Sequence, residues 1–223
     1  MDIIEPIRRY LHPKIIIVLL LGFSSGLPIL MVAGTLSAWL ADYGVKKSEI
    51  GAMAFVMVPY TFNFIWAPLI DTLNIPYLSG RMGRRRSWMI VIQVLLLLSL
   101  MSFAYLDPSN DLFMIAALAT LVAFLSASQD VVIDAFRTEY LPKERYGEGA
   151  AMAVFGYRIG LLIAGAGALY LAEYFDWNIA YLVVASFMLI GVITTLFVSE
   201  PDVSRPEIAQ NRDAKTWFAD TVL

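Results

Sequence analysis

Six runs of mostly apolar residues fill this chain, at about 15–40, 50–70, 88–106, 112–136, 148–172 and 178–198. Each approaches or exceeds the roughly 20 residues that an α-helix needs to cross about 30 Å of bilayer hydrocarbon. Each run is read as a transmembrane helix. Of the 223 residues, 59% are hydrophobic and only 16% charged, against about 25% charged in a soluble domain. A soluble fold could not bury that much apolar surface. The reading is therefore an all-α, polytopic membrane protein with six transmembrane helices.

The connections between runs are short and carry turn chemistry: Asp42-Tyr43-Gly44, Asp107-Pro108-Ser109-Asn110-Asp111 and Asp176-Trp177-Asn178. Basic residues set the orientation, because Lys and Arg accumulate on the cytoplasmic side. Of the 16 Lys and Arg residues, Lys46 and Lys47 fall on one side and Arg158 lies within a span; the rest, from Arg8 and Arg9 through Arg81 and Arg145 to Lys215, fall on the other. Six spans with both termini cytoplasmic satisfy this distribution. The predicted division is a cytoplasmic N-terminus at 1–14, a six-helix domain at 15–199 and a cytoplasmic linker or tail at 200–223. There is no cysteine, which excludes disulfides and thiolate metal sites. A net charge of −3 gives no sign of a nucleic-acid partner. No metal-ligand, nucleotide or hydrolase motif is present, so no cofactor, metal or catalytic residue is expected.

Ionisable residues inside spans are costly and usually face a protein interior or a water-filled cavity. In the fourth run Asp130, Asp134 and Arg137 recur at i, i+4 and i+7 and share a helix face with Ser126. Asp130 lies about 15 Å from the cytoplasmic end of its helix, at 1.5 Å per residue. Arg158 lies at matching depth in the fifth run, so Asp130 and Arg158 are expected to interact. Asp134 and Arg137, nearer the surface, read as a structural ion pair. Gln129, Tyr60, Tyr157 and Asn63 are candidates for neutral contacts to a polar solute, Tyr60 and Asn63 being three apart on the second run. Trp66 reads as an interfacial aromatic. Gly22-Phe-Ser-Ser-Gly-Leu-Pro28 is either a bend lining a cavity or a packing kink. Gly156 and Gly160 form a G-x-x-x-G step for close helix packing. After the second run Asp71 is followed by Gly83, Arg84, Arg85 and Arg86. An acid at a helix C-terminus is disfavoured by the helix dipole, so a basic partner is expected for Asp71.

These residues resemble a known family. Gly22–Pro28, Gly34-Thr-Leu-Ser-Ala-Trp39-Leu40, Pro59–Asp71, Gly83-Arg-Arg-Arg-Ser-Trp88, Ser128–Arg137 and Gly156-Tyr-Arg-Ile-Gly160 are similar to motifs of the AmpG-type muropeptide permeases. That family is a branch of the major facilitator superfamily related to acetyl-CoA transporters. The resemblance implies proton-coupled import of anhydro-muropeptides across the bacterial inner membrane, for cell-wall recycling. It implies the N-terminal half of a twelve-span fold, a missing second six-helix half, and a gating loop at Asp71, Gly83, Arg84 and Arg85. Within it Asp130 is a candidate proton-coupling carboxylate, and Arg158 binds an anionic solute group or holds Asp130. The chain departs from those relatives at Asn63, where lysine is usual, and at Thr72, where a basic residue is usual. Two alternatives stand beside this reading. One is a non-transporting remnant, or a subunit that pairs with a second six-span chain. The other is a membrane prenyltransferase holding Mg²⁺ on Asp130 and Asp134, which would need a second acidic cluster that the sequence lacks.

Overall fold

A computed structural model describes residues 10–201, and these form helices and connecting turns without a strand. The expected cytoplasmic N-terminus and tail, with Arg8, Arg9, Arg205, Arg212 and Lys215, lie largely outside the described residues. Among the described residues five helices are long and apolar enough to cross a membrane: α1 (Pro13–Asp42), α3 (Arg84–Tyr105), α4 (Leu112–Tyr140), α5 (Lys143–Tyr174) and α6 (Trp177–Phe197). The second apolar run is present, but not as one continuous helix. It is a succession of short pieces, here called α2: Lys47–Ala52, Val58–Phe62 and Ala67–Thr72, joined by 3₁₀ turns at Met53–Met57 and Asn63–Ile65. Pro59 and Pro68 stand near the starts of the second and third pieces. Each lacks an N–H and clashes with the preceding turn, so the ladder breaks before it.

Helix starts follow local chemistry. Pro13 opens α1, with His12 accepting from the Lys14 N–H. Asp176 caps α6 through the Ile179 N–H at 2.6 Å. Between α3 and α4 the Asp107 carboxylate accepts from the Ser109 N–H and the Asn110 amide, and these bonds hold it below the usual carboxylate range.

Helix α1 is central, packed on α4, α5 and α6. Its most apolar window is 67% buried, against 28% for α5. The α1–α5 contact is a seam of four glycines. A Cβ on Gly22 would overlap the Ala153 carbonyl, and one on Gly26 would come 2.9 Å from the Tyr157 carbonyl carbon. Reciprocally, a Cβ on Gly156 would come 2.9 Å from the Phe23 nitrogen, and one on Gly160 would lie 3.2 Å from the Gly26 Cα. Only glycine allows backbones this close. Gly22 and Gly26 thus make a second G-x-x-x-G step, so both serve close packing of α1 on α5. Toward its far end α1 breaks at Ala33 (φ −106°, ψ −94°). Beside it α5 carries a π-turn at Ile163–Gly167, and the Thr35 hydroxyl donates to the Ala164 carbonyl at 2.6 Å. At the end opposite the arginine cluster, Trp39, Phe103 and Tyr181 form an aromatic core with centroids 4.9–6.2 Å apart.

Candidate functional site

Four neighbouring residues on two helices show how a cavity wall is built. Ser24 and Ser25 follow one another on α1, and Gln129 and Asp130 on α4. A helix turns about 100° per residue, so each pair sends one side chain inward and one outward. Ser25 donates a short hydrogen bond to the Asp130 carboxylate. Both residues line a recess of about 270 Å³ with Gly22, Ile133, Asp134, Arg137, Ala153, Val154 and Tyr157. Three helices, α1, α4 and α5, therefore surround Asp130. The Tyr60 hydroxyl approaches Ser126 from α2, within electrostatic reach of Asp130 and Tyr157.

Ser24 and Gln129 face the other way. The Gln129 amide lies 3.5 Å from the Ser24 hydroxyl, in a fully buried layer with Gln93 of α3 and Thr195 of α6. Thr195 donates to Gln93 at 3.0 Å. Gln129, expected to meet a solute, is fully buried and does not line the recess. Gln93 and Thr195 had no distinguishing pattern in the sequence.

The Asp134–Arg137 ion pair forms at 3.1 Å, as expected from its i, i+3 spacing. Both residues also line the recess, so the pair is part of its wall as well as boundary structure. The expected Asp130–Arg158 interaction does not form. Gly156 and Gly160 commit one face of α5 to α1. Arg158, half a turn round from them, is exposed and lines a separate surface recess with Ala150, Ala151, Val154 and Phe155. Depth matched, but direction did not; Val154 is the wall that the two recesses share. Asn63 is half-buried in its 3₁₀ turn and does not line the Asp130 recess. Trp66 is not simply an interfacial aromatic. It donates to the Ser128 hydroxyl at 3.0 Å and stacks on Phe124, anchoring α2 to α4.

The charged loop packs on helices of this chain. Arg85 is buried and bridges Asp71 of α2 at 2.5 Å and Glu139 of α4 at 2.6 Å. This supplies the basic partner expected for Asp71. Glu139 was not singled out in the sequence; a lone acid at a polar helix end carries no signal. Gly83 adopts φ +85°, which suits glycine, and the start of α3 is capped by the Glu200 carboxylate through the Arg85 and Arg86 N–H groups at 2.8 and 3.0 Å. The Arg86 side chain returns to the end of α6, donating to the carbonyls of Thr195 and Leu196. Arg84 is the first residue of α3.

Comparison with known proteins matches residues 18–220 to the Major Facilitator Superfamily. The chain is 40% identical over 201 residues to the anhydromuropeptide permease of Escherichia coli K12, covering 90% of this chain and 40% of that protein. It is 40% identical over 206 residues to an uncharacterized protein of Haemophilus influenzae, covering 92% of this chain and 48% of the other. It is 37% identical over 182 residues to putative transporter AmpG 1 of Rickettsia conorii, covering 82% and 44%. The chain spans less than half the length of these relatives.

Proposed function

The chain belongs to the Major Facilitator Superfamily, and from that premise we propose that it is one half of a proton-coupled permease. The solute is an anhydro-muropeptide, carried into the cell across a bacterial inner membrane for cell-wall recycling, with both termini cytoplasmic. Asp130 is the coupling carboxylate. The observation that carries this reading is its setting: deep in α4, held by Ser25, and open to a recess walled by three helices. A carboxyl group in that setting can be charged while the recess is wet and neutral while it is closed, since an unpaired charge at such depth is costly. Tyr157, in the recess wall, offers a neutral hydrogen bond to a sugar or peptide group, whereas the buried Tyr60 hydroxyl does not line the recess.

Arg158 and the faces around it support a second six-helix half as partner. An arginine at mid-depth is not stable against lipid, so its exposed face meets protein or water. Val154, Phe155 and Leu162 surround it on α5, and Phe62 and Phe64 are exposed on α2. In this reading Arg158 takes an anionic solute group at the junction, and the Asp71–Arg85–Glu139 cluster holds the cytoplasmic ends of α2, α3 and α4 as one body.

The test is a chimera in which this chain replaces the matching residues of the E. coli permease. It is expected to import anhydro-muropeptide. Asp130→Asn is expected to abolish proton-driven accumulation while leaving solute exchange. Accumulation that stays normal, with unchanged pH dependence, removes Asp130 from the coupling role.

A further inference from the structure

Two hydroxyl groups on the inward side of Asp130, beyond the lining of its recess, are buried without a hydrogen-bond partner: Tyr60 Oη and Ser126 Oγ. Ser126 is fully buried and lies one turn before Asp130 on α4. Tyr60 comes from α2, and its hydroxyl stands beside Ser126 and within electrostatic reach of Asp130 and Tyr157. The two hydroxyls approach each other but miss hydrogen-bonding geometry. Buried polar groups are almost always partnered, by protein or by ordered water. Leaving two orphaned side by side is costly. A buried water needs about two to four polar partners, and Tyr60, Ser126 and Asp130 can supply three. A carboxylate has acceptor sites beyond the one that Ser25 occupies.

We propose that an ordered water binds between Tyr60, Ser126 and Asp130, at the inner end of an aqueous path whose mouth is the Asp134–Arg137 pair. The path follows one face of α4. Arg137, Asp134, Asp130 and Ser126 are spaced by three, four and four residues, a rise of about 16 Å. Beside that face, Ala127, Val132 and Phe136 are buried apolar residues. The water gives Asp130 a second hydrogen-bonding neighbour, on the side away from the mouth. Its role as a proton partner rests on the coupling reading above; its presence does not.

The chain has no native cysteine, so single cysteines report water directly in the chain itself. Ser126→Cys in membranes is expected to react with a small hydrophilic thiol reagent at least about tenfold faster than Ala123→Cys, with Asp134→Cys as the exposed control. A folded Ser126→Cys chain that labels no faster than Ala123→Cys overturns the proposal, and a direct Tyr60–Ser126 bond would give that result. Thermal melting in detergent separates partnered hydroxyls from orphaned ones, and the labelling result then separates a bridging water from a direct Tyr60–Ser126 bond. If a water bridges the hydroxyls, Ser126→Ala and Tyr60→Phe each lower Tm, and the double variant lowers it by less than the sum. If the site is dry, removing an orphaned hydroxyl leaves Tm unchanged or raises it, which sinks the idea. Normal coupling in an Asp130→Asn chimera would remove the transport reading while leaving the hydration result intact.

Discussion

Helices α5 and α2 are attached to the bundle in opposite ways. Helix α5 is pressed onto α1 by four glycines whose absent side chains let backbone meet backbone. Helix α2 is broken into short pieces and held mainly on α4, through Trp66–Ser128, Trp66–Phe124 and the buried residues Val56 and Ile70. On α2, Phe55 is 77% exposed and Phe64 65%. The difference teaches where rigidity comes from inside a bilayer. Lipid is as apolar as leucine, so burying leucine gains little there; close packing and hydrogen bonds must supply the attraction. Helix α5 has the first on α1, and α2 has a few of the second on α4.

Four substitutions can break or sharpen this contrast. The largest effect is expected from Gly156→Leu, which drives a side chain into the Leu19 and Phe23 backbone. The cost is about 3 kcal/mol or more, and size-exclusion in detergent should show loss of the folded monodisperse chain. Arg85→Gln comes next, because it strands Asp71 and Glu139 together. Breaking a fully buried pair costs about 3–5 kcal/mol, but Asp71 is 47% exposed, which reduces the expectation to about 2 kcal/mol. Thermal melting checks it, with Arg85→Lys restoring only part, since lysine lacks the fork that spans two carboxylates. Trp66→Phe removes the bond to Ser128 and is expected to cost about 1 kcal/mol. It should loosen α2, measured as faster thiol labelling of a cysteine placed at Phe62, while leaving α5 unchanged. Phe64→Ser should change melting by less than about 0.5 kcal/mol. A larger loss would mean that α2 packs on more of the chain than α4.

Much of the fold was legible. Apolar length placed the helices to within a few residues, and the prolines that break α2 were visible at Pro59 and Pro68. Gly156 and Gly160 announced a close contact. The same spacing at Gly22 and Gly26 was equally visible, and was masked by the serines and proline around it. The Asp134–Arg137 pair followed from spacing along one helix. Arg85 did not. Three consecutive arginines are alike in sequence, and only the phase of α3 decides that Arg85 turns inward to Asp71 and Glu139 while Arg86 turns to α6. Arg158 shows the same limit. Its depth could be counted in residues, but its direction depends on which face of α5 the glycines give to α1.

The sequence by itself determined that this chain lives in a membrane, how many apolar runs it has, which end of the bundle carries the arginines, and that Asp130 is buried to mid-depth in one of the helices. Tertiary structure alone decided directions around each helix axis: Ser25 and Asp130 into the recess, Ser24 and Gln129 into the packed interior, Arg158 away from both. The physical reason is the solvent. In water, a helix's polar stripe marks its outer face. In lipid the outer and inner faces are both apolar, so rotation is fixed only by packing, small residues and buried hydrogen bonds, and those contacts exist only once the helices have met.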